Sequence, residues 1–436
     1  MIASIDARAA LEEAQEQYAS NNPKSSAHYA EACSVLPGGN TRTVLFYPPF
    51  PLTMVRGKDS RLWDADGHEY IDFLGEYTAA LYGHSNATIR SAIHHALENG
   101  IDLGSHNALE AQLAAILCAR FPSLDFVRFS NSGTEANLMA LSAARAITKR
   151  AKLLVFEGAY HGGILSFSNG GSPINAPFEF LVARYNDLDH TISLLERNAD
   201  DLAAVIVEPM MGAGGCIPAE KPFLQALREA TSANGIVLIF DEVMTSRLGP
   251  GGLQGIHGIV PDMTTLGKYI GGGLTCGAFG GRAAIMQYFD ARQPGSFAHA
   301  GTFNNNVLTL SAGIAGMSLY TPDVALQHNV RGDRLRHRLN DIVKRQRIAM
   351  QFTGIGSMLN VHMCSGPIHN PADTARANKD LADLFFFELL AKGFWLARRG
   401  MIVLSLTNTD ADCDQLSAAV ESFVDQYRSL LAPEPA

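Results

Sequence analysis

Between about residues 75 and 320 the chain alternates short apolar runs with longer stretches of helical period, and the runs carry almost no polar residue within them. Phe126 to Phe129, Lys152 to Phe156, Val205-Ile206-Val207 and Ile236 to Phe240 are of this kind. A strand with one wet face alternates apolar and polar residues, so an unbroken run has to be covered on both sides. Runs separated by helices therefore predict an α/β fold with a mostly parallel sheet between two helical layers. Such a sheet also fixes where chemistry can sit, because ligands bind beyond the carboxyl ends of the strands.

Those ends carry reactive groups. Ile236 to Phe240 runs into Asp241-Glu242-Val243, and Lys268 follows in Leu266-Gly267-Lys268-Tyr269-Ile270-Gly271-Gly272-Gly273. An amine held between apolar residues and glycines can lose its proton and form a Schiff base with an aldehyde. A carboxylate at a strand end on the same face can keep a pyridine nitrogen protonated. Together, Lys268 and Asp241 describe a site for pyridoxal 5'-phosphate (PLP).

The remaining parts of such a site occur in order. Ser130-Asn131-Ser132-Gly133-Thr134 links an apolar run to an Ala-rich helical stretch, and free N–H groups at a helix start make a phosphate cradle. Tyr160-His161-Gly162 follows Lys152 to Phe156 and offers an aromatic ring to a pyridine face. Glu208 ends a third run, and Gly301-Thr302-Phe303 supplies a further hydroxyl. Taken singly, each has an ordinary role too: Ser132 or Thr134 as a helix cap, Tyr160 half-buried in a turn, Glu208 capping a strand.

As a set, these motifs resemble the class III aminotransferases, PLP enzymes of fold type I, from about Leu36 to Asp414. The resemblance implies a seven-stranded sheet and a smaller α+β unit from the chain's two ends. It implies catalysis by Lys268 and Asp241, and cofactor binding by Ser132, Gly133, Thr134, Tyr160, His161, Glu208, Val243 and Thr302. Because the threonine of this last motif typically reaches the neighbouring subunit's phosphate, a homodimer with active sites at its interface is implied as well. The expected division is 1–74 for an N-terminal arm and part of the small domain, 75–320 for the PLP-binding domain, and 321–436 for the rest of the small domain. Leu52 to Asp66 reads as a strand pair turning at Asp66-Gly67, and Phe352 to Met363 as a strand.

Composition narrows the function classes. The 436 residues are 47% hydrophobic with a net charge of −9 and no basic block, which argues against nucleic-acid binding. No apolar stretch approaches the roughly 20 residues of a membrane span, and the acidic N-terminal segment lacks a signal-peptide core, so a cytoplasmic location is expected. Six scattered cysteines without a CxxC pair suit free thiols and provide no zinc framework.

Substrate choice turns on two arginines. Arg42 stands in Gly38-Gly39-Asn40-Thr41-Arg42-Thr43-Val44, and Arg399 in Ala397-Arg398-Arg399-Gly400-Met401. A planar guanidinium on a glycine-flanked loop suits a substrate carboxylate. Both surroundings resemble the β-amino-acid aminotransferases, in particular those for β-phenylalanine, whose substrate-binding arginines match Arg42 and Arg399. The implied partners are a small amine donor and an α-keto acid acceptor. Arg398 departs from that pattern, which leaves open which of the two neighbours faces the pocket. Three alternatives stand beside this reading: a glutamate-1-semialdehyde aminomutase, an ω-amino-acid or amine transaminase, and a non-catalytic PLP-binding relative. The last would be expected to lose Lys268 or Asp241.

Overall fold

In the computed structural model, which describes residues 6–433, the central sheet has seven strands. In chain order they are Phe126–Ser130, Lys152–Phe156, Glu179–Ala183, Leu202–Val207, Val237–Asp241, Met263–Gly267 and Gly277–Gly281. Across the sheet, Phe126–Ser130 lies at one edge, followed by Gly277–Gly281, Met263–Gly267, Val237–Asp241, Leu202–Val207, Lys152–Phe156 and Glu179–Ala183. All neighbouring pairs are parallel except the two made by Gly277–Gly281. Every residue of Leu202–Val207 and Val237–Asp241 is buried, as the unbroken apolar runs require.

Gly277-Ala278-Phe279-Gly280-Gly281 has poor strand propensity yet pairs along its whole length. Its glycines are demanded by neighbours: a Cβ on Gly277 would lie 2.0 Å from the Ser132 carbonyl oxygen, and one on Gly281 2.3 Å from that of Asp262. The strand is thus selected by tertiary packing.

Helix Gly133–Thr148 crosses the sheet, burying Ala136, Asn137, Ala140, Leu141, Ala143 and Ala144. A separate apolar core joins the two ends of the chain, from Ala10, Leu11 and Tyr18 in helix Ala7–Asn21 to Phe386 and Phe387 in helix Lys379–Ala391 and Phe423 in helix Asp410–Gln426. Three antiparallel strands, Met54–Lys58, Arg61–Asp64 and Glu69–Asp72, are joined by a parallel pairing of Phe394–Trp395.

Two details differ from the sequence expectation. The first strand pair reverses at Asp59-Ser60, where Asp59 takes φ 51°, and Asp66-Gly67 instead leads into Glu69–Asp72. Phe352 to Met363 is a hairpin, Gln351–Ile355 with Met358–His362, turning at Gly356-Ser357. Gly356 has φ 54°, and a Cβ there would lie 2.3 Å from Asn329 Oδ1, so the packed helix Pro322–Gln346 forces the turn.

Candidate active site

Asp241 ends the strand Val237–Asp241, and its carboxylate is built into a network. Oδ2 lies 2.7 Å from His161 Nδ1 and accepts from Asn137 Nδ2 at 2.8 Å, while Oδ1 accepts from the Val243 N–H at 3.0 Å. Asn137 also donates to the His161 carbonyl and accepts from Thr265 Oγ1 at 2.6 Å. With its own donors and acceptor engaged, Asn137 locks three segments together: the helix after Gly133, the Tyr160-His161 loop and strand Met263–Gly267. Sequence reading missed Asn137 and Thr265. The available signal was an amide on the buried stripe of an otherwise Ala-rich helix.

The phosphate-cradle candidates meet at the start of that helix. Ser132 is its N-cap, with its hydroxyl accepting from Glu135 N at 3.2 Å, so that hydroxyl is engaged as well as positioned. The Gly133 and Thr134 N–H groups have no acceptor among the described residues. Tight packing sets the neighbours: a Cβ on Gly133 would lie 2.8 Å from Val243, and one on Gly162 would lie 2.2 Å from Thr134 Oγ1. The Tyr160 side of that loop is 46% exposed, while Glu208 holds its backbone, accepting from Tyr160 N at 3.0 Å and Gly212 N at 2.9 Å. Burial pushes Glu208 up to about 7; the neighbouring His161 opposes the rise and Asp241 adds to it. Glu242 points elsewhere, accepting from Leu253 N and Gln254 N in the buried turn beyond.

Lys268 follows strand Met263–Gly267 with φ 58°, a left-handed conformation that is uncommon for a side chain of this size. Burial pulls its ammonium down to about 8; Glu76 and Asp241 pull the other way, while Arg399 and Arg42 repel it. These four charges therefore act on one amine, and the fold brings Lys268, Asp241 and the two arginines of the sequence reading together.

Glu76 and Tyr77 reach the site from a segment, Glu76-Tyr77-Thr78, whose sequence resembles the β-amino-acid aminotransferases but assigns neither residue a role. Gly75, Glu76, Tyr77 and Thr78 take φ 53°, 47°, 51° and 82° in succession. Left-handed backbone costs roughly 1–2 kcal/mol per non-glycine residue, so this turn persists only because its surroundings hold it. Arg42 Nη1 lies 2.6 Å from Glu76 Oε1, in a half-exposed pair. Tyr77 carries both arginines: the guanidinium carbon of Arg42 is 6.0 Å from the ring centroid and that of Arg399 is 5.1 Å away. Among the described residues Arg399 makes no ion pair; one nitrogen lies 3.8 Å from Met401 Sδ.

Arg398 is settled by its partner. Its Nε and Nη2 each donate to Asp383 at 2.6 Å, a bidentate pair anchoring the loop to helix Lys379–Ala391. Thr302 is exposed and lines a surface hollow with Ile101, Leu103 and Phe303, to which none of the other sequence-predicted site residues contributes.

The profile of the aminotransferase class-III family matches residues 46–424. The chain belongs to this family. It is 51% identical to a β-phenylalanine transaminase of Variovorax paradoxus over 97% of each chain. The crystal structure of a β-phenylalanine aminotransferase from Variovorax paradoxus superposes with a TM-score of 0.97 at 50% identity, covering 99% of this chain and 100% of that one. A glutamate-1-semialdehyde 2,1-aminomutase of Bacillus licheniformis is 36% identical over 91% of this chain and 96% of its own.

As a class III aminotransferase the protein is a PLP-dependent enzyme, and the residues present fit that cofactor. Unpaired N–H groups at a helix start suit a phosphate, an acid fixed from behind by His161 and Asn137 suits a ring nitrogen, and a buried amine near neutrality suits an aldehyde. No helix among the described residues is long and apolar enough to cross a membrane.

Proposed function

We propose that this enzyme moves the amino group of an aromatic β-amino acid, such as β-phenylalanine, to an α-keto acid such as 2-oxoglutarate or pyruvate. The observation that carries the reading is the pair Arg42 and Arg399, both resting on Tyr77 and both acting on Lys268, with Arg398 tied off by Asp383. Two guanidinium groups around one amine suit substrates that carry a carboxylate in more than one position. The 51% identity to a β-phenylalanine transaminase supports the same donor class.

PLP, when bound, supplies an electron sink for the negative charge left on the substrate carbon as its proton departs. The chain's own groups do the rest. The Gly133 and Thr134 N–H groups would hold the phosphate, Tyr160 and Val243 would pack against the ring, and Asp241 would hold a proton at the ring nitrogen. Lys268 Nζ would hold the cofactor at rest and, once freed, would move the proton from the substrate's amine-bearing carbon. Ser132 and His161 act behind these groups, the first by setting the helix start and the second by orienting Asp241. Arg42 and Arg399 bind and orient the carboxylate.

A homodimer belongs to this reading, with Thr302 of each protomer reaching the phosphate in the other. Support comes from the exposure of Thr302 beside Phe303, Ile101 and Leu103, three apolar side chains about half exposed. A cytoplasmic location fits the free cysteines. The aminomutase alternative is weakened by the lower identity of that relative. The deciding experiment incubates the enzyme with 2-oxoglutarate and a panel of α-, β- and ω-amines and follows glutamate. Turnover confined to α-amino acids, or to amines without a carboxylate, overturns the proposal.

A further inference from the structure

Arg247 is completely buried, and among the described residues it has no carboxylate partner. Its donors go to main-chain carbonyls instead: Nη1 to Thr78 O at 3.3 Å and Nη2 to Leu404 O, with His328 Nε2 3.0 Å from the same nitrogen. Its own carbonyl accepts from the Tyr320 hydroxyl at 2.6 Å and from Asn329 Nδ2 at 2.9 Å. A buried cation without a counter-charge is expensive to keep, and an apolar residue of similar volume would fill the space without that cost. What the guanidinium gathers explains its presence. Thr78 closes the left-handed turn that carries Glu76 and Tyr77, and Leu404 follows strand Met401–Val403, which begins just past Arg399. Arg247 itself lies a few residues beyond Asp241, in the turn Thr245–Leu248.

We propose that Arg247 is a positioning residue for substrate recognition, tying the Gly75–Thr78 turn to the chain beyond Arg399 so that the Tyr77 ring stays in place as the shared rest of Arg42 and Arg399. The inference rests on reading those two arginines as carboxylate partners. Four consecutive left-handed residues relax toward ordinary backbone unless something holds them, and the Thr78 carbonyl is where Arg247 takes hold. The planar fork matters because it reaches two carbonyls at once, which an ammonium does only as a point charge. Orphaned polar atoms mark the same spot: Arg247 Nε, Thr78 Oγ1, Ser246 Oγ and His328 Nδ1 are buried without partners among the described residues. Polar groups kept dry in this number indicate a segment held for its geometry, since packing alone favours apolar replacements.

The test uses the holoenzyme and four variants: Arg247→Met, Arg247→Lys, Tyr77→Leu and, as reference, Arg42→Ala. Steady-state constants are measured with β-phenylalanine, and the first half-reaction is followed by the cofactor's absorbance with 1-phenylethylamine, which has no carboxylate. PLP content and Tm are recorded for each. Arg247→Met is expected to raise KM for β-phenylalanine at least tenfold with kcat within threefold, to change the carboxylate-free half-reaction less than threefold, and to retain PLP. Arg247→Lys should recover part of the KM. Tyr77→Leu, with Arg247 intact, should reproduce the KM effect, and it decides the matter if Arg247→Met does not fold. The inference is overturned if Arg247→Met lowers Tm without moving KM, if both donors suffer equally, or if Tyr77→Leu leaves KM unchanged. A normal KM in Arg42→Ala instead points to failure of the carboxylate reading itself.

Discussion

The Nδ1 atom of His161 lies 2.7 Å from Oδ2 of Asp241, with both side chains buried. An N–H donated from behind to a carboxylate at the end of a strand fixes its direction and leaves its charge aimed forward. Asp241→Asn removes that charge, and proton abstraction is expected to slow by about 10²-fold or more while the fold survives. His161→Ala leaves the charge but loosens its aim, and a smaller loss, about tenfold, is expected. Single-turnover rates with β-phenylalanine separate the two; near-normal turnover in Asp241→Asn would transfer the role to another acid such as Glu208.

Lys268 gives the second expectation. Borohydride reduction of the holoenzyme should fix the cofactor to the peptide containing Lys268, and Lys268→Ala should lose turnover by several orders of magnitude, about 10³-fold or more, because holding group and base vanish together. Label on any other lysine refutes the assignment.

The same amine predicts a pH dependence. Burial lowers its pKa to about 8, so the free amine accumulates as pH rises through that value. In the apoenzyme, the rate of aldehyde capture should therefore rise with a midpoint near 8. Arg399→Ala removes a repelling cation and should move the midpoint up; Glu76→Gln removes an attracting anion and should move it down. Stopped-flow absorbance across pH 6 to 10 checks both signs, and parallel shifts in one direction would rule out the electrostatic account.

Arg42→Ala and Arg399→Ala should each lower kcat/KM for carboxylate substrates by about 10² or more, as expected for truncating a guanidinium paired with a substrate charge, worth roughly 2–5 kcal/mol. The two should differ. Arg399, held only by Tyr77 and a weak contact to Met401, is free to swing and should matter more for the keto acid than for the aromatic donor. Arg398→Ala should change activity little and lower Tm modestly, since its bond to Asp383 is partly exposed. A silent Arg399→Ala beside a damaging Arg398→Ala would reverse the assignment.

If Thr302 reaches the partner subunit's phosphate, retention of PLP should depend on association. Dilution below the dimer constant, followed by gel filtration and absorbance, should release cofactor. A monomer that keeps full occupancy excludes this arrangement.

The sheet, and most of the residues of the candidate PLP site, were legible because their signals are local. Unbroken apolar runs imply burial on both faces, and Asp241, Lys268 and Glu208 stand at the ends of such runs. Gly277–Gly281 was invisible as a strand because close backbone approach selects it, against its own propensity. Asn137 and Thr265 were missed because a polar residue inside a helix or strand carries no sign of its partner. The conformation of the turn from Gly75 to Thr78 was illegible for a stronger reason. Three of its residues are not glycine, so nothing in them announces left-handed backbone, and the chain segments that hold it, around Arg247 and Leu404, are far away in sequence. Arg398 and Arg399 could be separated only by seeing Asp383.

The core that joins the two ends of the chain also has a consequence for synthesis. Tyr18, in helix Ala7–Asn21, packs edge-on against Phe387 with ring centroids 5.2 Å apart, and that same core includes Leu416, Phe423 and Leu431. While the ribosome is still making the last hundred or so residues, the apolar stripe of the first helix has Tyr47 and Phe50 beside Tyr18 but lacks the C-terminal part of its cover, although every strand of the central sheet has been made. Arg42 likewise waits for Arg399. On the proposed assignment of these residues, a nascent chain can form its cofactor cradle well before both substrate arginines are in place, and the first helix is the segment a chaperone would have to shield in the interval.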